Sequence, residues 1–329
     1  KELKNKITLG ADYENEERTS VVNSGDDVSN SATVVGVFVQ GHSKISMVSV
    51  SYGVRWDNYR SEYGTNSLDG DKISPNAGLS VEPIKGMELF ANYSTAVRAS
   101  GTIPVQWMSS IADSVSFNNG KPLEAETSVM FDGGIRFSKE KIFAGNDELS
   151  VSAKGFKTKM DNLIEVTVGG KQGLPVSGIG NDPFGVISKG YELSLDYKIK
   201  NLINRFTYIH TDVENEDGEP IEATRRKAAP SGDRFNWNLS WQPIPELQVG
   251  YTLNLVGKLN DVYEIPRPAY VLHNVQLLWF SQTVKGLSAA LAVNNLFDKQ
   301  YREQTSIAQG EAIILEPGRD LRVTLSYKF

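Results

Sequence analysis

The sequence lacks several features that would narrow its interpretation: among 329 residues it has no cysteine and only three histidines, and no long apolar run is present. Without cysteine, a disulfide scaffold, a thiolate metal site and a cysteine nucleophile are excluded. Without a run of about 18 apolar residues, a transmembrane helix is excluded as well. Membrane strands remain open, because a β-barrel has a much weaker, alternating apolar pattern.

Excess positive charge is also absent, since 34 Lys and Arg residues stand against 40 Asp and Glu residues and the net charge is -6. A surface that follows nucleic-acid phosphates needs excess Lys and Arg, so no nucleic-acid partner is expected. We find no Ser-His-Asp arrangement, no phosphate-binding glycine loop and no calcium-loop spacing. The sequence therefore predicts a protein that is not an enzyme and holds no cofactor and no metal.

Strict alternation of apolar and polar residues is the dominant pattern. In the stretch FNWNLSWQ (235–242) every odd position is aromatic or aliphatic, and every even position is polar. Such alternation predicts a strand with one apolar and one polar face. About fourteen segments show the pattern, near residues 6–14, 33–41, 47–59, 73–83, 87–97, 124–138, 147–166, 186–199, 202–213, 234–242, 247–257, 270–281, 287–297 and 312–329.

The connections between these segments alternate between short and long. Short examples are EPIKG, YKIKN, QPIPE and SQTVKG, whereas residues 14–32, 59–72 and 98–123 are predicted to form long loops. This parity predicts an all-β, antiparallel, up-and-down transmembrane barrel with tight turns at one end and long extracellular loops at the other. A soluble secreted β-sandwich is an alternative, although its Greek-key crossings would break the parity. A passive pore of about fourteen strands is another.

The end of the chain resembles a known family. The stretches VNNLFDKQYREQ (293–304) and LEPGRDLRVTLSYKF (315–329) resemble the C-terminal signature of TonB-dependent outer-membrane receptors, and weaker similarities such as ELFANYSTAVRAS extend over nearly the whole chain. The resemblance implies a 22-stranded barrel that encloses an N-terminal plug domain. Residues 1–329 are then expected to be the C-terminal portion of the barrel, with the plug and the first strands outside this chain.

The resemblance also implies a function in the bacterial outer membrane, among its lipids. Receptors of this family take up scarce iron chelates, and TonB supplies the energy by pulling on the plug. We expect a ferric siderophore as the ligand, with haem next, because the long loop of haem-type receptors usually carries a histidine and residues 98–123 contain none.

Candidate ligand contacts come from segments predicted to lie outside the membrane. Arginines there would bind the carboxylates or catecholates of a chelate through charge-assisted hydrogen bonds, while aromatic residues and methionine suit planar or bulky ligands and a histidine could ligate haem iron. As alternatives, the arginines offset nearby carboxylates, the apolar pair packs its own loop, and the histidine is a rim residue. The candidates are Arg98, Trp107, Met108, His210, Arg225, Arg226 and Arg267.

Overall fold

A computed structural model describes residues 3–21, 27–63, 66–99, 118–168, 177–221, 230–259, 267–305 and 315–329. Within these ranges no helix is long and apolar enough to span a membrane. The described residues form a short 3-10 turn at Asn118–Gly120 and the strands β1 Lys4–Val21, β2 Asp27–Ile45, β3 Val48–Tyr63, β4 Asn66–Ile84, β5 Met87–Arg98, β6 Glu126–Glu140, β7 Asp147–Asp161, β8 Ile164–Val168, β9 Ser177–Asn181, β10 Val186–Ile199, β11 Leu202–Asn215, β12 Arg234–Ile244, β13 Leu247–Val256, β14 Tyr270–Phe280, β15 Leu287–Asn294 and β16 Asp320–Tyr327.

Fourteen of the strands form one antiparallel sheet in which neighbours in sequence are neighbours in space. The order runs from β1 to β7 and then from β10 to β16, while β8 and β9 form a separate hairpin. This topology confirms the predicted all-β, up-and-down fold and its number of long strands. It has no Greek-key crossing among the described residues, so the β-sandwich alternative is wrong. The sheet is open, with β1 and β16 as its two edges.

The two faces of the sheet differ in chemistry, as the alternation predicts. On one face Leu9, Val37 and Leu193 are 75%, 48% and 45% exposed. The opposite face carries hydrogen-bonded polar pairs, such as Asn92 with Asp132 and Ser152 with Ser194. A continuous apolar face of this size is stable when hydrocarbon covers it, and the polar face suits a wet interior. We call them the apolar face and the polar face.

One end of the sheet carries only compact turns, which we call the turn end. At Gly86, φ is +86°, and an added Cβ would lie 2.2 Å from the carbonyl oxygen of Ser138 on the next strand but one. The Gly86 carbonyl also accepts a hydrogen bond from the Ser138 amide at 2.7 Å. Glycine is needed here, because only glycine combines this backbone conformation with so close an approach. The opposite end, which carries the longer connections, is the loop end.

The loops predicted at residues 14–32 and 59–72 are wrong, because strands β1 to β4 continue through most of these residues. β1 and β2 contain 18 and 19 residues, and their pairing extends to Val21 opposite Asp27. β3 and β4 likewise pair up to Tyr63 opposite Asn66. A membrane strand needs about 9–11 residues, so these strands are much longer than one membrane crossing requires. The predicted strand at 147–166 also divides into β7 and the hairpin strand β8.

Candidate functional site

The β8–β9 hairpin folds over the polar face of the sheet at the loop end. Its inward residues pack against side chains from β3, β4 and the segment before β6, which gives the sheet a small enclosed apolar core. Burial of several apolar side chains, each contributing about 1.5–3 kcal/mol, holds the hairpin there. The core consists of Tyr59, Tyr63, Leu68, Leu123, Ala125, Ile164 and Ile179.

Polar contacts fix the hairpin at the same place. Asn181, the last residue of β9, makes three of these hydrogen bonds. Its side-chain amide donates to the carbonyl oxygens of Glu124 and Asn162, each at 2.8 Å, and its backbone NH donates to Asn118 Oδ1 at 3.0 Å. Glu126, the first residue of β6, accepts a hydrogen bond from the Ile164 amide at 2.8 Å. A carboxylate of the sheet therefore holds the hairpin at its first residue, Ile164.

A cavity of about 520 Å³ lies on the polar face at this end. Its size falls in the range of small-molecule sites. The wall combines small apolar residues such as Ala32 and Val34 with the Tyr59 ring that also packs in the hairpin core. Its charged and polar lining residues, besides Tyr59, are Glu14, Glu16, Arg55, Asp57, Ser74, Asn76, Thr95 and Arg98.

Arg55 is held between two carboxylates on the cavity wall. Its guanidinium donates to Asp12 at 2.7 and 2.8 Å and to Asp57 at 2.7 Å. The Asp57 side chain is only 9% exposed. Gly36 leaves the space that the guanidinium occupies, because a Cβ there would lie 1.9 Å from Arg55 Nη2. This arrangement satisfies Arg55 internally and makes it part of a rigid wall.

Arg98, the last residue of β5, lines the cavity. Its Nε donates to Glu126 Oε2 at 2.5 Å, and its Nη2 contacts the same oxygen. A guanidinium has five donors in one plane, and the Arg98 side chain is 60% exposed. Glu126 therefore orients Arg98 while leaving several of its N–H groups able to meet a ligand carboxylate.

His210 lies outside this cavity, on the apolar face. Its Nδ1 is 2.7 Å from Asp233 Oδ1, its Nε2 is 3.4 Å from Asp212 Oδ2, and the Tyr208 hydroxyl donates to Asp233 Oδ2 at 2.6 Å. These bonds from Tyr208 and His210 hold the pKa of Asp233 below its usual range. His210 thus fixes the start of β12 to β11.

The other two histidines also lie away from the cavity. On the apolar face, His273 Nδ1 is 2.7 Å from the Tyr251 hydroxyl, and its ring packs edge-on against Phe297 at 4.7 Å. His42 is near the turn end, three residues before β2 ends. Within the described ranges no group of three or more His, Asp and Glu side chains could hold a metal ion.

A second cleft, of about 460 Å³, lies beside His210 where β11 ends and β12 begins. Asp212, Glu214 and Asp233 line it, with Lys258 as its cation. Carboxylates outnumber cations by three to one in this cleft and by three to two in the cavity on the polar face, so of the two the cavity suits an anionic chelate better.

The seven predicted contact residues do not share one site. Arg98 lines the cavity and His210 lines the cleft. Arg267 is 1% exposed, and its carbonyl accepts a hydrogen bond from the Leu259 amide at 3.0 Å. The remaining four candidates, Trp107, Met108, Arg225 and Arg226, lie outside the described residues. Ligand contact through any of the seven stays a prediction.

Arg55, Asp57 and Glu126 were not predicted from the sequence as site residues. The spacing of Arg55 and Asp57 puts them on one face of a strand, which is a readable signal. The contact between Arg55 and Asp12 depends on the register across β1, β2 and β3, because these two residues are 43 positions apart in sequence. That contact has no local signal.

Comparison with known proteins agrees with this architecture. The profile of the family described as "TonB dependent receptor-like, beta-barrel" matches residues 2–296. The chain belongs to the TonB-dependent receptor β-barrel family. The predicted family is thereby confirmed.

Individual relatives are distant. The chain is 25% identical over 312 residues to the haem transporter BhuA of Brucella abortus (strain 2308), covering 90% of this chain and 44% of that protein. It is 24% identical over 303 residues to the ferric-pyoverdine 358 receptor of Pseudomonas putida, covering 84% of this chain and 33% of that receptor. The chain therefore spans less than half the length of these curated relatives.

The fold also matches solved structures. The FrpB iron transporter of Neisseria meningitidis (F3-3 variant) superposes with a TM-score of 0.76 at 16% identity, covering 99% of this chain and 52% of that one. At this identity the similarity demonstrates the fold and nothing finer.

Proposed function

We propose that this chain is the C-terminal barrel portion of a bacterial outer-membrane receptor that takes up an iron chelate with energy from TonB. The match to the receptor β-barrel family over residues 2–296 carries the proposal. The plug domain and the first strands of a 22-stranded barrel would belong to the remainder of a longer receptor. TonB would act through that plug.

The two-sided sheet supports the membrane part of the proposal. Apolar side chains such as Leu9 and Val323, 75% and 74% exposed, would contact lipid, and the polar face would surround the path of the ligand. The loop end, with its cavity and the β8–β9 hairpin, would face the outside of the cell. Transport by such a receptor needs binding and opening rather than catalysis.

The cavity favours a ferric siderophore over haem. Its exposed cation is Arg98, whose guanidinium suits the carboxylate or catecholate oxygens of a siderophore. Its lining contains no histidine, the residue that ligates haem iron in many haem proteins. Haem is the second candidate, because Tyr59 lines the cavity and a tyrosine can also ligate haem iron. The name of BhuA, a haem transporter, supports the same alternative.

Growth under iron starvation tests the proposal. Cells with and without the complete gene are supplied with haemin or with ferric pyoverdine as the only iron source. We expect growth to depend on the gene for one of them, and equal growth on both with and without the gene would refute iron uptake. In the complete receptor, Arg98→Ala should raise the half-saturating concentration of the transported chelate by about tenfold, the effect of losing one charge-assisted bond.

The matched control for that variant is Arg60→Ala. Arg60 also sits near the loop end in an exposed ion pair, with Glu62 at 2.8 Å, and its side chain is 70% exposed. It does not line the cavity. An equal effect of both changes would mean that the cavity is not the binding place.

A further inference from the structure

The β8–β9 hairpin holds the main chain around Arg98. Arg98 is the last residue of β5, and the ends of strands open more easily than their middles. Its two neighbours in sequence, Val97 and Ala99, both pack against the apolar core that contains the hairpin residues Ile164 and Ile179. The hairpin therefore fixes the backbone on both sides of Arg98.

One carboxylate joins the Arg98 guanidinium to the same hairpin. Glu126 lies directly opposite Arg98 in the pairing of β5 with β6, and its side chain is only 7% exposed. Its Oε2 accepts a hydrogen bond from Arg98 Nε at 2.5 Å. Its Oε1 accepts a hydrogen bond from the Ile164 amide at 2.8 Å. Because each oxygen serves a different element, the hairpin fixes the carboxylate that the guanidinium meets.

The base of the hairpin is tied to the segment that leads into Glu126. The Asn181 side chain donates to the Glu124 carbonyl at 2.8 Å and accepts from the Glu124 amide at 2.7 Å. Asn162, just before β8, donates to Glu124 Oε2 at 3.0 Å. These bonds join both ends of the hairpin to one short segment. They keep the Ile164 amide in place to meet Glu126.

We propose that the β8–β9 hairpin positions Arg98 for the ligand, with Glu126 as the positioning residue between them, an inference that rests on the proposed function. The Arg98 side chain is long and 60% exposed, so without the carboxylate it would lose its rotational freedom only when the ligand binds. Ordering one such side chain in advance raises affinity by about two- to tenfold. The hairpin therefore raises the affinity for the chelate through Arg98.

Uptake kinetics of the complete receptor test this role, with haemin and ferric pyoverdine as probes. Glu126→Asp keeps the charge but is too short to reach both partners, and Asn181→Ala releases the base of the hairpin. Each should raise the half-saturating concentration about fivefold, while the maximal rate per receptor at the cell surface changes by less than about twofold. In an Arg98→Ala background neither change should raise it further, because both act through Arg98.

The matched control is Asn58→Ala. Asn58 is an exposed asparagine near the loop end, and its side-chain amide also donates to a backbone carbonyl, that of Gly70 at 3.2 Å. It belongs neither to the cavity lining nor to the hairpin core. Asn58→Ala should leave both kinetic quantities unchanged. A rise equal to that of Asn181→Ala would overturn the inference, because any loosening of the loop end would then have the same effect.

Chemical modification of the purified receptor gives a second readout that needs no ligand. Phenylglyoxal modifies guanidinium groups, and mass spectrometry of the peptides gives the rate at Arg98. This rate should rise severalfold in Glu126→Asp and in Asn181→Ala, because the guanidinium is no longer held by a charge-assisted hydrogen bond. The rate at Arg60, the internal control in the same samples, should stay the same.

An unchanged modification rate at Arg98 would overturn the inference even if neither probe is transported, a result that would count against the proposed function alone. With a transported probe, an unchanged half-saturating concentration or a further rise in the Arg98→Ala background would overturn it too. Loss of both Glu126→Asp and Asn181→Ala receptors from the cell surface would also overturn it, because the hairpin would then serve folding alone.

Discussion

Replacement of Arg55 by methionine tests whether the wall of the cavity is held by its charge cluster. The change keeps most of the side-chain volume but removes the cation between Asp12 and Asp57. Asp57, with a side chain only 9% exposed, then remains as an uncompensated carboxylate. Breaking a buried ion pair costs about 3–5 kcal/mol, and breaking an exposed pair costs less than about 1 kcal/mol.

The Arg55 ion pairs are intermediate between a buried pair and an exposed pair. Its own side chain is 32% exposed, and that of Asp12 is 50% exposed, so solvent screens part of the interaction. We expect Arg55→Met to lower the free energy of unfolding by about 2 kcal/mol. Urea unfolding of the purified complete receptor in detergent measures this quantity. Arg60→Met, in an exposed pair, should change it by less than about 0.5 kcal/mol.

Two further variants separate the charge effect from lost packing. Adding Asp57→Asn to Arg55→Met removes the stranded carboxylate, so the double variant should recover about 1 kcal/mol. Gly36→Ala should reproduce much of the loss from the other side, because its Cβ would lie 1.9 Å from Arg55 Nη2. The reasoning is refuted if Arg55→Met costs no more than Arg60→Met, or if the double variant is less stable than Arg55→Met alone.

Two other predictions concern the ends of the sheet. Gly86→Ala should lower the free energy of unfolding by at least about 1 kcal/mol, because φ is +86° and the new Cβ would lie 2.2 Å from the Ser138 carbonyl oxygen. The control Gly145→Ala, with no atom within 4 Å of the added Cβ, should be near neutral. Equal losses of stability for the two variants in urea unfolding would contradict this prediction. The lowered pKa of Asp233 makes its contribution to stability present above the unfolded pKa, about 3.9, and lost as pH falls through the folded pKa. Asp233 also raises the pKa of His210, so the stability difference between wild type and Asp233→Asn should first grow as pH falls from 7 and His210 takes up its proton, and then shrink as pH falls towards 3 and Asp233 is neutralised. A difference that does not change with pH would show that the carboxylate charge contributes nothing.

The long strands could be predicted from the sequence because their signal is local. In β10 the residues from Tyr191 to Ile199 alternate without interruption, and each residue reports its own face. The same signal underestimated β1 to β4, because at the loop end the apolar face of these strands becomes polar, while apolar residues such as Tyr59, Tyr63 and Leu68 lie on the opposite face under the hairpin. Where a strand extends beyond lipid, its outward face need not be apolar, so the apolar–polar alternation ends before the hydrogen-bonded pairing of the strands does.

The parts that fold inward could not be predicted, because long-range contacts specify them. Asn118 and Asn181 meet across 63 residues of sequence, and Gln304 meets Gly232 across 72. The candidate site shows the same limit. Arg98 could be chosen as an exposed cation at a strand end, but the Glu126 carboxylate that orients it could not.

The C-terminal signature itself has a structural explanation. Asn295 and Asp298 both have positive φ, 50° and 53°, a conformation that asparagine and aspartate tolerate better than most residues. Asn295 Oδ1 accepts from the Lys299 amide at 2.8 Å, and Asp298 Oδ1 accepts from the Arg319 amide at 2.8 Å. An added Cβ at Gly318 would lie 2.6 Å from that Asp298 oxygen. The signature residues therefore shape the turns of the connection between β15 and β16 and hold its two ends together.

This explanation limits what the motif says about function. The signature residues make backbone contacts that any receptor with this fold could use, whatever its ligand. Under the proposed function, specificity for the chelate would come from side chains outside the signature, such as Arg98 and Tyr59 in the cavity. Exchanging those two residues between receptors should change the transported chelate, whereas exchanging the signature should change stability and leave the chelate the same.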